Sequence, residues 1–367
     1  MTKARDNANG GATEFSELTD TTVSTADPAI DSNPASGVGH IWENKTSGEM
    51  YVLTDATAGA NEWTNVGDGT GPVIPIGYLT ATGGTVTTDG NFKVHTFTSS
   101  GTFEVTAAPP GVLGAAYLIV GGGGAGGKNG GGGGGAGGLL TNLGGTLLSL
   151  SVQSYSITIG AGGTGSANTG GGDTTALSLT AIGGGRGGSN EVGNAGSGGS
   201  GGGASFIHTL SNGAGGSGTV GQGNDGGTIT WANSGNHATA GGGGAGAAGN
   251  VPSTVAGPSG AGGAGLQKNI TGSNYYWAGG GGAGIHSTGT AGSGGIGGGG
   301  GGSVTSNNFG QGGASALNSG ANGSNSGAGG AGGANTGGGG GGGSQSLNLG
   351  GNGGSGIVVI RYQFQAA

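Results

Sequence analysis

The chain has 367 residues, of which 109 are glycine, 31% are apolar and only 7% are charged, so an ordinary oily core cannot fill its length. With no cysteine, disulfides and thiolate metal sites are excluded. Residues 1–70 hold 11 of the 16 acids and three of the eight bases, whereas residues 71–367 balance five against five; that neutral part has no basic patch for nucleic acid.

Taken in chain order, residues 1–35 are acidic and polar and read as an extended arm. The opening MTKARDNANGGATEF has no apolar stretch, so the expectation is synthesis in a cytoplasm without a leader. No window reaches the roughly 18 apolar residues a membrane span needs, and membrane insertion is not expected. Residues 36–72 read as a small β module. Its strand-like pieces contain Ile41–Trp42, Met50–Val52 and Trp63, with a hairpin turn at Thr46-Ser47-Gly48. Such a module is small enough to lean on a neighbour or on copies of itself. Gly71–Gly77 reads as a hinge.

Residues 73–367 form a glycine-rich domain holding 95 of the 109 glycines after residue 110. Its expected frame is a small β-sandwich from about 78–120, 150–182 and 355–367, with glycine-rich rods and loops at 121–149 and 183–354. Alternation in Phe92–Phe97 and Thr102–Thr106 predicts a hairpin around Ser99-Ser100-Gly101. Further strands are predicted at Ala115–Val120, Ser154–Ile159, Ala176–Ile182 and Ile357–Phe364. The last closes the chain after a long glycine tract, which a loose tail has no reason to do.

Runs such as Gly130–Gly135 and Gly337–Gly343 have no side chains to bury, and ordering glycine costs more backbone entropy than ordering any other residue. One arrangement makes their order favourable. Extended helices of the polyproline II type, with three residues per turn and no internal hydrogen bonds, can approach closely and pair their outward amides with each other. The fold class expected is therefore mainly β and irregular: a sandwich frame with a polyglycine II bundle, preceded by a β module and an arm, with essentially no α-helix.

Several motifs have bland readings that win. Gly121, Gly123 and Gly126 satisfy the dinucleotide-binding spacing, but no helix can follow to hold a pyrophosphate. Gly122–Lys128 imitates a phosphate loop, yet Asn129 stands where Ser or Thr must bind magnesium. Gly221–Ile229 resembles a single calcium nonapeptide with Asp225 as ligand, and stacked copies are missing. The five histidines (His40, His95, His208, His237, His286) share the chain beyond residue 110 with only Asp173, Glu191 and Asp225. Neither an enzyme nor a cofactor is expected.

Islands bearing side chains interrupt the glycine at Ala204–Asn212, Thr228–Ala240, Leu266–Ala278, Ile285–Ala291 and Ser303–Gly310. They hold Phe206, Trp231, Tyr275, Tyr276, Trp277 and Phe309. As turns at rod ends, these aromatics either anchor a ligand or plug the bundle and pack on the frame.

The passage GHIWENKTSGEMYVLTDATAGANEWTNVGDG resembles a module found in structural proteins of tailed phages, marine ones especially. ATGGTVTTDGNFKVHTFTSSGTFEVT, YLIVGGGGAGG, YSITIGAGG and GGSGIVVIRYQF resemble the glycine-rich domain shared by phage fibre proteins and some bacterial surface proteins. The glycine interior is similar in composition to fibre-tip adhesins of T-even-like phages, whose polyglycine II turns touch the host receptor at one end. The resemblance implies a virion structural protein that docks other virion proteins through its N-terminal arm and meets a host cell-surface protein or glycan. By the same likeness, the contact residues are Trp231, His237, Tyr275, Tyr276, Trp277, Asn307, Asn308 and Phe309. A head or tail decoration without receptor binding is the alternative, and an ice-binding polyglycine protein is an alternative of another class. The oligomeric state stays open between a homotrimer and a bundle complete within one chain.

Overall fold

The computed structural model describes residues 20–29, 31–58, 60–67, 78–108, 114–191, 193–206, 213–230, 237–254, 257–286, 289–314, 317–345 and 348–365. Residues 1–19 of the expected arm, the hinge and Trp231 lie outside them. The chain divides into two units, 1–77 and 78–367. No helix occurs among the described residues; the fold is mainly β.

The first unit is a four-stranded sheet of β1 (Thr21–Ser24), β2 (Ile41–Asn44), β3 (Met50–Asp55) and β4 (Glu62–Gly67), in that order. Residues 21–24, assigned to the arm by their polar surroundings, instead pair in parallel with β2. Their β-branched Thr-Thr-Val core suits a strand. β2 and β3 are antiparallel. Between them the Asn44 side-chain oxygen accepts from the amides of Thr46 and Ser47 at 2.9 and 3.2 Å, and Gly48 takes φ +79°. Leu53 is fully buried, and Trp42 meets Trp63 edge to face at 5.7 Å.

The second unit begins with β5 (Thr80–Thr82), β6 (Thr85–Asp89), β7 (Phe92–Phe97), β8 (Gly101–Ala107) and β9 (Ala116–Val120). It continues with β10 (Leu139–Thr141), β11 (Gln153–Ile157), β12 (Thr174–Ala176), β13 (Leu179–Ala181), β14 (Leu266–Lys268), β15 (Tyr275–Trp277) and β16 (Ile357–Gln363). A five-stranded sheet in the order β10-β9-β16-β7-β6 packs on a three-stranded sheet, β11-β8-β5. Phe103, Val105 and Ile157 of the small sheet meet Phe97, Ile119, Val358 and Ile360 of the large one. The large sheet's other face is covered by Ile270, Trp277 and Ala278 over Val94, Leu118 and Val359. Burial on both faces explains why Ile357–Ile360 is an unbroken apolar run.

The predicted hairpin between Phe92–Phe97 and Thr102–Thr106 does not form. β7 pairs with β6 and with the chain-closing β16, whereas β8 belongs to the other sheet. Residues 98–100 therefore cross the sandwich. Alternation reports a half-buried strand and is silent about its partner. The hairpin actually present turns at Gly90-Asn91, between the paired Asp89 and Phe92, with Gly90 at φ +55°, the glycine-first form of a two-residue hairpin loop. The single strand predicted at 176–182 is a hairpin of β12 and β13, turning at Leu177 and Ser178, both with positive φ.

The glycine runs form rods joined by main-chain hydrogen bonds. Gly121, Gly124 and Gly127 donate to the carbonyls of Gly138, Gly135 and Gly132; Gly122 and Ala125 donate to Gly172 and Thr169; Gly123 and Gly126 donate to Gly354 and Gly351. Donors to one neighbour recur every third residue, as a three-residue turn requires. The same rod accepts from Gly184 and Gly187, from Gly340 and Gly343, and from Gly163, so it has six neighbours. This is a polyglycine II lattice. Run 131–138 repeats the pattern, sending 131, 134 and 137 to 343, 340 and 337. A Cβ on Gly124 would lie 2.1 Å from the Gly185 carbonyl oxygen, inside any permitted contact, so close amide pairing and side chains exclude each other there.

Rods at the surface lack some neighbours, and polar side chains replace them. Asn194 accepts from the Ala214 amide at 2.9 Å, and Asn322, Asn352, Asp225 and Asp173 accept from Gly312, Gly165, Gly218 and Gly183, each at 2.8 Å. This is the physical reason that glycine's companions are so often polar: a side-chain oxygen takes the place of a missing peptide carbonyl.

Candidate functional site at the far end of the bundle

β9 runs into rod 121–127, and rod 131–138 returns into β10, so Lys128-Asn129-Gly130 turns at the end of the bundle away from the sandwich. The hydrogen-bond ladder carries that assignment along the chain. Residues 164–168, 189–191, 206, 237, 286, 304–309, 324–328 and 344–345 lie at this far end. The turns at 219–223 and 297–298 and the β14–β15 hairpin lie at the sandwich end.

The three islands singled out from sequence therefore do not share one end. His237, Asn307, Asn308 and Phe309 are at the far end; Tyr275, Tyr276 and Trp277 are at the other. Trp277 is 0% exposed, wedged on the large sheet with its indole N–H 3.4 Å from the Lys268 carbonyl. It packs on the frame. Tyr275 and Tyr276 are half-buried. Their hairpin is pinned by Arg361, which pairs with Asp89 at 2.5 Å, lies 4.1 Å from the Phe92 ring centroid and donates to the Ile270 carbonyl at 3.3 Å.

At the far end, Asn307 and Asn308 are exposed. The Asn325 side-chain amide donates to Asn307 Oδ1 at 3.1 Å, linking two neighbouring turns. Phe309 packs partly on Ile285, Ala291 and Val304. His237 is half-buried and stacks on Phe206 with centroids 4.1 Å apart; His286 meets Phe206 edge-on at 5.3 Å and lies 5.8 Å from His237. A Cβ on Gly130 would touch Phe206 and His286, so the turn between the first two rods must be bare where this cluster rests on it.

Phe206 and His286 were not among the contact residues expected from sequence. The available signal was position: Phe206, His237 and His286 each stand within a few residues of a glycine rod's end, where a side chain first has room. The amides of 121–127, which match the phosphate-binding spacing, donate to other rods. Asp225 accepts from Gly218, Asp173 from Gly183, and Glu191 pairs with Lys128 at 3.1 Å. The three acids beyond residue 110 thus serve turns and rod edges in three separate places.

The fold defines a class: a β-sandwich that emits and recovers a polyglycine II bundle, presenting side-chain-bearing turns at the opposite end. The model of the glycine-rich domain matches residues 98–334, and the chain belongs to that family. No curated protein matches it.

Proposed function

We propose that the protein is a non-enzymatic structural component of a phage particle, a fibre or adhesin-like appendage. Its N-terminal part docks other virion proteins, and its glycine-rich domain meets a host cell-surface protein or glycan. The observation carrying this reading is the division of labour within the second unit. Rod interiors admit almost no side chain, whereas the far-end turns carry exposed amides and aromatic rings on a rigid base. Such turns can change sequence without disturbing the lattice beneath, which suits an attachment surface. The contact set proposed is His237, Asn307, Asn308 and Phe309, with Trp231 from the same island as His237.

Two experiments test this. Mass spectrometry of purified particles is expected to find the protein, and its absence there ends the proposal. Particles carrying Asn307→Ala with Asn308→Ala are expected to adsorb more slowly than particles carrying Tyr276→Ala, whose change lies at the sandwich end. Equal and undiminished adsorption in both would leave a decoration protein without receptor binding.

A further inference from the structure

We infer that His237 and His286 form a binding site for one divalent first-row transition-metal ion of the zinc, nickel or copper type. The inference is independent of the attachment role. Ala238 and Ile285 are paired in an antiparallel bridge, and the His286 amide approaches the His237 carbonyl at 3.5 Å. The two histidines are thus the next facing pair on antiparallel segments, and facing residues project to the same side with Cβ atoms about 5 Å apart. Their ring centroids are 5.8 Å apart and the planes cross at 67°. An ion about 2.0–2.1 Å from one nitrogen of each ring fits between rings at this spacing.

The base under the pair is rigid. The Thr239 hydroxyl lies 2.5 Å from the Gly284 carbonyl and 3.1 Å from that of Gly131. Ser259 donates to the same Gly284 carbonyl at 2.8 Å, so both histidine-bearing segments are tied to the lattice within two residues of each ring. Phe206, 6% exposed, walls one face of His237. Preorganisation of this kind reduces the ordering cost of ligation. Lys128 and Glu191, on adjoining turns, neutralise each other. Imidazole selects zinc, copper and nickel over hard ions such as magnesium and calcium. Among the described residues no cluster of three His, Cys, Asp or Glu forms. Within those residues the two histidines are the ligands at this site, and the ion keeps further positions for water or for an oxygen donor on a partner.

The test is titration of the full chain with zinc chloride at pH 7.5 by calorimetry, with nickel chloride used for NMR. One zinc ion per chain is expected, and nickel is expected to broaden the ring signals of His237 and His286 before any others. Because ligation needs neutral imidazole, binding should weaken on acidification. His237→Gln and His286→Gln should each abolish binding. No heat of binding, undiminished binding in either single variant, or nickel broadening centred on other residues would overturn the inference. The NMR arm reads the wild-type chain, so it decides the matter even if a variant fails to fold.

Discussion

Nε2 of His95 lies 3.0 Å from the Tyr362 hydroxyl, and the two rings stack with centroids 5.4 Å apart. The hydroxyl in turn accepts from the Ala81 amide at 3.2 Å, and His95 Nδ1 donates to the Gly83 carbonyl at 2.7 Å. One polar chain thus crosses the sandwich core from β5 through β16 to β7, with each group partnered and the imidazole neutral. Burial holds the His95 pKa below its ordinary value, opposed by the Gly83 hydrogen bond and reinforced by Lys93. The folded value is depressed, so the unfolded chain takes up the proton more readily. Stability from this group is complete above about pH 6.5 and is lost as pH falls toward the folded pKa, by up to about 1.4 kcal/mol per pH unit. Urea unfolding of the full chain between pH 7.5 and 5 should show this loss in the glycine-rich unit, and His95→Gln should flatten it. In the first unit His40 is shifted the same way by burial, against the pull of Asp20, and should steepen that unit's own acid sensitivity.

Tyr362→Phe keeps the ring and its packing but removes the shared hydroxyl. It leaves the Ala81 amide and His95 Nε2 without their partner in a core where Tyr362 is 1% exposed. A loss of about 1–3 kcal/mol is expected from orphaned buried polar groups. Chemical denaturation at pH 7.5 measures it, and an unchanged midpoint would mean that the network contributes nothing.

The lattice makes a sharper prediction about single methyl groups. Gly124→Ala places a Cβ 2.1 Å from a neighbouring carbonyl oxygen on fixed main chain, and should cost about 3 kcal/mol or more because no flexible side chain can yield. Gly170→Ala meets nothing nearer than 3.2 Å and should stay within about 1 kcal/mol of the parent. Ala136, fully buried beside the large sheet, fills one of the few places where a methyl fits, so Ala136→Gly should lose about 0.8 kcal/mol of burial. Thermal unfolding of the three variants orders them, and equal effects for Gly124 and Gly170 would contradict close rod packing.

The strands were legible where side chains carry information. The predicted strand Ile357–Phe364 reads from the apolar run Ile357–Ile360, and the turn after Asn44 from Thr-Ser-Gly. Partnership was not legible: the same alternation that identifies β7 and β8 gives no hint that they lie in opposite sheets. Within the rods the difficulty is deeper. Gly131 and Gly134 are chemically identical, yet one bonds rod end 343 and the other 340, so register is set by rod length and turn positions rather than by residue type. The proximity of His237 to His286, and the separation of Trp277 from Asn307, both follow from how many times the chain reverses between them. Counting reversals through glycine-rich text requires knowing which short islands turn and which merely decorate a rod.

Trp277 illustrates the consequence. Because it is buried against Leu118 and Val359, Trp277→Ala should cost about 3–5 kcal/mol, as loss of a large core aromatic does. Any change in attachment by that variant would then track the fraction folded. Circular dichroism melting, run beside adsorption, separates the two, and Trp277→Phe should recover most of the stability.

Amide exchange provides the most direct test of the rods. In an ordinary core, protection accompanies buried side chains; here it must accompany glycine itself. The amides of Gly134, Gly135 and Gly340 each donate at 2.8–2.9 Å to a rod distant in sequence, and that of Gly124 donates at 2.8 Å to Gly135 on the next rod; none can be released without separating two rods over several residues. Their exchange should therefore require opening of the whole bundle and proceed at one common, slow rate. Gly144, in a turn at φ +86° with no heavy atom near its Cβ direction, should exchange freely. Protection of Gly124 no greater than that of Gly144, in a chain whose sandwich amides remain slow, would mean that the frame folds without ordering its glycine. The lattice could not then be what holds the far-end turns in place.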